Sequence, residues 1–169
     1  MRHFYRAGRD VPQAVLQPAL RAGIVRIELA VFTRANCELA WQIFSDWERW
    51  QKASDHYRGL QWHGPPWIPG SRLQVEFLRP VRARVDRVIT VCTPPRCVAW
   101  INHVLGYSME QWVLFDPFPG GGTRVSTWLE FTGPELTING LSMQETLESY
   151  LSQWYESYRT ACDRAVAKV

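Results

Sequence analysis

The order of the predicted elements constrains the fold most. Alternating apolar residues predict a strand at 24–31, and apolar residues at helical spacing follow from 36 to about 50. Strand and turn signals then alternate from 59 to 131, and an uninterrupted amphipathic helix from about Leu141 to Lys168 ends the chain. Consecutive strands without intervening helices indicate an antiparallel meander. We therefore expect one long helix to cover a curved antiparallel sheet.

The last helix carries a continuous apolar stripe, which indicates how it is held. The stripe consists of Met143, Leu147, Tyr150, Leu151, Trp154, Tyr158, Ala161, Cys162 and Ala165. Burying each large side chain contributes about 1.5–3 kcal/mol. An exposed pair such as Glu156 with Arg159 contributes only about 0.2–0.5 kcal/mol. We expect the stripe to dock on the sheet, and a homodimer that pairs two such stripes is the alternative.

Length and composition restrict the class of protein. With 169 residues, of which 46% are hydrophobic and 21% charged, the chain fits one globular domain. We place this domain at 23–169 and treat 1–22, which carries four arginines, as an N-terminal extension. The chain has neither a run of ~18 apolar residues nor a signal-peptide pattern. We expect a cytoplasmic protein without integral membrane association.

The basic residues do not predict a nucleic-acid partner. The net charge is only +3, and the arginines are scattered. The densest group consists of Arg79, Arg82, Arg84 and Arg87, on one predicted strand. A phosphate-binding stripe and a solvated strand face both fit this group, and we favour the solvated face.

The sequence contains no recognisable catalytic, metal or phosphate motif, so we expect no metal and no cofactor. Glycines 120–122 precede a strand, whereas a phosphate loop needs a following helix. Cys92 and Cys97 flank a Pro-Pro turn, and we favour two small buried apolar residues over a disulfide. His63 and His103 would meet only if their strands were neighbours.

Several structural motifs resemble those of a known superfamily. They are the segment 69–73 entering a strand, the hairpin at 94–100, the segment 122–125 opening the last strand, and the closing helix. On these residues the chain resembles the SRPBCC/START-like helix-grip superfamily, over roughly 24–164. The resemblance implies an α+β helix-grip fold, in which a curved antiparallel sheet of about seven strands wraps around the C-terminal helix and two short helices follow the first strand. It implies no shared catalytic set.

Residues that face the space between sheet and helix are the candidate ligand contacts. Strand parity places Gln111 and Thr127 inward, with Tyr107 at the rim. Arg87 interrupts an apolar strand, so it either anchors an anion in the cavity or marks a bulge. The loop 64–70 carries Trp67, which we expect to be exposed near the mouth. The full set of candidates is Trp62, Trp67, Arg87, Trp100, Asn102, Tyr107, Gln111, Thr127 and Trp154.

Three functions fit these residues. The first is binding of a hydrophobic small molecule, either lipid-like, aromatic or polyketide-like, in a cavity under the last helix. The second is a cyclase/dehydratase-type enzyme in the same cavity, with Gln111, Tyr107 or His103 polarising a carbonyl or moving a proton. The third is a protein-interaction module that uses Trp67 and the N-terminal segment. Nine tryptophans either stack on a ligand or fill the cavity themselves.

Overall fold

The fold is taken from a computed structural model that describes most of the chain. The described residues are 19–21, 24–53, 55–80, 82–104, 107–133, 137–138 and 141–167. Within these ranges, no helix is both long enough and apolar enough to cross a membrane. Most of the segment 1–22, and the boundary that we placed after it, lie outside the described residues.

The described residues form ten strands and three helices; the seven longer strands and the helices follow the predicted order, and three short strands were not predicted. The strands are β1 (Ala19–Arg21), β2 (Ile24–Thr33), β3 (Tyr57–His63), β4 (Arg72–Phe77), β5 (Ala83–Thr93), β6 (Cys97–Val104), β7 (Tyr107–Pro117), β8 (Thr123–Thr132), β9 (Thr137–Ile138) and β10 (Leu141–Ser142). The helices are α1 (Cys37–Ser45), α2 (Trp47–Ala53) and α3 (Met143–Val166).

A single antiparallel sheet contains the first eight strands in the order β1-β2-β8-β7-β6-β5-β4-β3. The seven strands from β2 to β8 confirm the predicted helix-grip sheet. One further strand, β1, lies at the sheet edge beside β2, where Ala19 pairs with Arg26. This strand belongs to the N-terminal segment. The strands β9 and β10 form a separate small hairpin before α3.

Local signals explain where the helices begin and end. The Asn36 side chain accepts a hydrogen bond from the Leu39 amide and caps α1, as such residues commonly do. Asp46 then separates α1 from α2, and its carboxylate accepts from the Arg49 amide. At α3, Ser142 and Glu145 form a reciprocal capping box. These contacts confirm two short helices followed by one long helix.

The inner face of the sheet and the apolar stripe of α3 enclose the core. Ile27, Leu29, Val125 and Leu129 are buried on neighbouring strands. The stripe of α3 meets them as predicted, and it also contains Tyr155, which is only 1% exposed. Its buried residues are Thr146, Leu147, Tyr150, Leu151, Tyr155, Tyr158, Ala161 and Cys162. The helix is therefore held inside its own chain by apolar burial.

The outer face of the sheet carries a separate aromatic pair. Trp112 and Trp128 stack with ring centroids 5.5 Å apart. The guanidinium of Arg26 lies 5.5 Å from the Trp128 ring and pairs with Glu28 and Glu130. These two tryptophans lie across the sheet from α3, so they do not line the space beneath it.

Candidate functional site

A small cavity lies between the sheet, the first two helices and α3. Its volume is about 50 Å³, and it is lined by Phe44, Trp47, Trp50, Tyr57, Leu60, Trp67, Leu73, Arg87, Ile89, Trp100 and Trp154. Sites for drug-sized ligands usually have about 300–1,000 Å³, whereas one water needs roughly 10–15 Å³ of such space. The cavity therefore has room for a few water-sized groups, and aromatic side chains fill the rest.

The aromatic rings that fill the space form one contact network. Phe44 lies at its centre, with ring centroids 5.3 Å from Phe115, 5.7 Å from Trp154 and 5.9 Å from Tyr158. Trp154 also stacks on Tyr158, with the two rings 7° from parallel. Of our two interpretations of the tryptophans, this arrangement favours filling. A planar ligand could stack here only if part of the network moved.

Among the described residues, Arg87 is the one cation that lines this cavity. It lies on the inner face of β5, opposite Leu73 on one side and Asn102 on the other. Its guanidinium carbon is 5.1 Å from the centroid of Trp100 and 5.4 Å from that of Phe77. The bulge in β5 lies between Ile89 and Val91. Arg87 therefore faces inward in regular strand geometry, and the bulge alternative is wrong.

Two buried phenols lie beside this cation. The hydroxyl oxygens of Tyr57 and Tyr150 are 3.0 Å apart, and either can be the donor. Burial raises the pKa of both groups, and the nearby charge of Arg87 opposes the shift. Burial also raises the pKa of Tyr155. The phenols therefore stay protonated at neutral pH, and Tyr57, which lines the cavity, is neutral and polar.

The tryptophans around the cavity differ in how firmly they are held. The Trp50 indole nitrogen donates to the carbonyls of Ile43 and Phe44, at 3.0 and 3.2 Å. By contrast, the indole nitrogens of Trp62 and Trp154 are buried without a hydrogen-bond partner. Trp154 lines the cavity, and Trp62 packs against the lining residue Trp67.

Trp67 is half-buried rather than exposed, which corrects our expectation for the loop 64–70. Its indole nitrogen donates to the Ser45 carbonyl at 2.9 Å, and its ring contacts Trp41 and Trp62. Its backbone φ is 61°, in the left-handed region that large residues rarely adopt. The loop is thus held against α1 through the Trp67 side chain.

Three polar candidates lie on the inner face, as strand parity predicted, but they bond to their neighbours. The Gln111 amide donates to the Thr127 hydroxyl at 3.0 Å, and that hydroxyl donates to the Trp112 carbonyl at 2.6 Å. The Asn102 amide contacts the Met109 sulfur at 3.2 Å. None of the three lines the cavity. They satisfy polar groups within the sheet, as buried polar residues usually do.

Tyr107 is buried and does not lie at an open rim. It is 5% exposed, and its ring centroid is 6.1 Å from that of Phe131. A β-carbon added at Gly133 would come within 2.1 Å of the Tyr107 ring. The ring is therefore packed under this glycine, away from the cavity lining. The rim position that we expected for Tyr107 is wrong.

The histidine and cysteine alternatives find no support in the strand order. The strands β3 and β6, which carry His63 and His103, are separated by β4 and β5; the His103 side chain lies outside the described part. Cys92 pairs with Val98, while Cys97 pairs with Thr93, and all four cysteines are free. Among the described residues, no group of three or more His, Cys, Asp or Glu could hold a metal ion.

The remaining basic residues of the 79–87 group are exposed. Arg84 hydrogen-bonds to Gln74 across the outer face, and Arg79 pairs with Asp55 at 3.1 Å. An open groove at this edge has a volume of about 520 Å³ and contains Arg58 and Glu76, whose charged atoms are 4.0 Å apart. This arrangement favours the solvated face over a phosphate-binding stripe.

Sequence reasoning missed several residues that line the site. Tyr57 is the most important, because β3 bulges between Tyr57 and Gly59 and the bulge turns Tyr57 to the same face as Leu60. Tyr155 was detectable, since it follows Leu151 by one helical turn. Trp47 and Trp50 come from the short second helix, whose position against the sheet depends on tertiary packing.

Comparison with solved structures identifies the fold. The structure superposes on Ara h 8.0201 with a TM-score of 0.65 at 10% identity, covering 87% of this chain and 100% of that one. It superposes on Thalictrum flavum norcoclaurine synthase with a TM-score of 0.60 at 12% identity, covering 89% and 96%. No protein-family model and no curated protein matches the sequence. The chain thus has the Bet v 1-like helix-grip fold that its sequence predicted, and at these identities the likeness extends to the fold alone.

Proposed function

We propose that the chain binds a hydrophobic small molecule, aromatic or lipid-like, between the sheet and α3. The supporting observation is the aromatic cavity, whose lining in the described part of the chain includes the cation Arg87. Mostly apolar walls with a few polar groups are typical of small-molecule sites. The norcoclaurine synthase of the same fold was solved in complex with a transition-state analogue, which is compatible with a small-molecule ligand for this fold.

Binding requires the cavity to open, since about 50 Å³ cannot hold a ring system. The unbonded indoles of Trp62 and Trp154 favour opening at these two side chains. Trp154 and Arg87 both line the cavity, so movement of the Trp154 ring makes space next to Arg87. A bound ligand replaces contacts that the aromatic side chains make with one another in the empty protein. Because those contacts are lost on binding, we expect modest affinity for purely apolar compounds.

An enzyme of the cyclase/dehydratase type is the second candidate. The observation that favours it is the Tyr57–Tyr150 pair beside Arg87. A protonated phenol can donate to a carbonyl oxygen, and a guanidinium can stabilise the charge that develops there. This pair replaces Gln111, Tyr107 and His103 as the candidate polar groups of such a reaction.

Location and assembly follow from the same observations. We propose a cytoplasmic location, which the four free cysteines support, since reduced thiols are usual in that compartment. The α3 stripe is buried within its own chain, so we propose no homodimer through that stripe. No nucleic-acid partner is proposed.

Native mass spectrometry of the protein purified from its own cells tests this proposal. We expect a species heavier than the chain by one small organic molecule, recoverable by denaturation. If that molecule is returned unchanged after incubation with fresh protein, the chain is a binder. If it is converted, the enzyme is favoured. A spectrum that contains only the bare chain, under conditions that preserve other weak complexes, contradicts binding.

A further inference from the structure

We propose that the ligand of this cavity is a carboxylic acid with an apolar body, and that its carboxylate binds Arg87. This inference rests on the proposed function and adds the chemical class of the ligand. It begins from three buried donors in and beside the cavity, all from described residues, that lack an acceptor. The Arg87 Nε atom is buried without a hydrogen-bond partner, as are the indole nitrogens of Trp62 and Trp154.

The charges around the cavity also favour an anionic ligand. Among the described residues, none of the ion pairs includes Arg87, and the carboxylates pair elsewhere, as in Arg26 with Glu130 and Arg159 with Asp163. A partly buried cation without an anion is unfavourable. Contacts with the Trp100 and Phe77 rings offset part of this cost. A ligand anion would supply the missing charge.

The neighbouring polar groups do not supply an acceptor for Arg87. The Thr127 hydroxyl accepts from Gln111 and donates to the Trp112 carbonyl. The hydroxyls of Tyr57 and Tyr150 bond to each other. The Arg87 Nε atom is thus left without an acceptor among the described residues. A buried donor without a partner needs an explanation, and a ligand that supplies an acceptor is the one that fits an aromatic cavity beside a cation.

Charge and size together favour a carboxylate over a phosphate. Among the described residues, the Arg87 guanidinium is the one cationic group in the cavity lining. Its single charge balances that of one monoanion, which it can bind through two parallel N–H···O bonds. The existing cavity of about 50 Å³ has room for a group of a few atoms. The carboxylate can thus bind first, and the apolar part of the ligand then displaces the rings of Trp62 and Trp154.

Matched acid and amide probes test the inference. Isothermal titration calorimetry would compare 2-naphthoate with 2-naphthamide, which has nearly the same shape but no charge. We expect the wild type to bind the acid about tenfold or more tightly than the amide, as loss of a charge-assisted hydrogen bond implies. In Arg87→Met this preference should disappear, mainly through weaker binding of the acid.

Arg87→Lys is the second variant, because it keeps the charge and loses the Nε donor and the planar fork. It should retain an intermediate preference for the acid, with circular dichroism confirming that both variants are folded. Equal affinity of the wild type for both probes, or an acid preference that survives in Arg87→Met, overturns the acid inference and leaves the proposed function standing. If neither probe binds at millimolar concentration, both proposals are contradicted.

Discussion

Raising the pH above about 10 is expected to unfold this protein over a narrow range. Burial raises the pKa of Tyr57, Tyr150, Tyr155 and Tyr158. The unfolded chain loses these phenol protons near pH ~10, whereas the folded protein retains them. The unfolded state then binds fewer protons, so stability is fully present below the unfolded pKa and falls as the pH rises.

The expected loss is large compared with ordinary protein stability. Once the pH exceeds the unfolded pKa, each phenol that stays protonated in the folded protein contributes a slope that approaches about 1.4 kcal/mol per pH unit, so four approach about 5–6 kcal/mol per unit. Most domains have only about 5–15 kcal/mol in total. Burial also raises the pKa of Cys92 and Cys162 to about 11, and these thiols add to the loss in the same direction.

Urea unfolding followed by circular dichroism, from about pH 8 to about pH 11, measures this slope. Lysine ionisation interferes little, because the chain contains only Lys52 and Lys168. Tyr158→Phe is the matched control. It removes one phenol and its hydrogen bond to the Ala40 carbonyl, and it should reduce the slope by about 1.4 kcal/mol per unit. A free energy of unfolding that stays constant to about pH 11 contradicts the burial of these phenols.

Trp154→Ala is expected to lower the free energy of unfolding by about 3 kcal/mol. Truncation of a buried tryptophan usually costs about 3–5 kcal/mol, and Trp154 is half-buried, so the lower end applies. The variant loses ring contacts with Phe44, Trp50 and Tyr158. The vacated space joins the existing cavity that Trp154 lines. An apolar void of ~150 Å³ is known to accept a benzene-sized molecule.

Added indole should partly restore the stability of this variant. Indole has the shape of the group that was removed, and at about a hundred times its dissociation constant it would return about 2.7 kcal/mol. The wild type should gain little, since its cavity is already filled. Trp128→Ala, on the outer face, loses a stacked ring without opening an internal void, and indole should not restore it. Thermal melts that show equal effects on both variants contradict a cavity at Trp154.

Much of the fold was predictable because its signals are local. Each of these signals lies within a single strand or a few helical turns. They are the alternation in β2 and β8, the Asn36 cap and the apolar stripe of α3. These signals identified the sheet, both short helices and the closing helix. Inward placement of Gln111 and Thr127 followed from the same alternation, since β7 and β8 pair in regular register through these residues.

The site was less predictable because its geometry depends on local irregularity and on contacts distant in sequence. The bulge in β3 places Tyr57 on the inner face, where simple alternation does not. The left-handed backbone of Trp67 turns its ring inward from a loop that sequence alone suggests is exposed. Whether Arg87 has an anionic partner depends on side chains from several strands. The volume of the cavity depends on tertiary packing, and here aromatic side chains reduce it to about 50 Å³.

Indole N–H resonances in nuclear magnetic resonance spectra test the central claim most directly. The nine tryptophans give separate probes, which single Trp→Phe variants would assign. Titration with 2-naphthoate should shift the resonances of Trp62, Trp100 and Trp154, around Arg87. The resonances of Trp112 and Trp128, on the outer face, should remain unchanged. Shifts confined to that outer pair, or no shifts at millimolar probe, would contradict a ligand site between the sheet and α3.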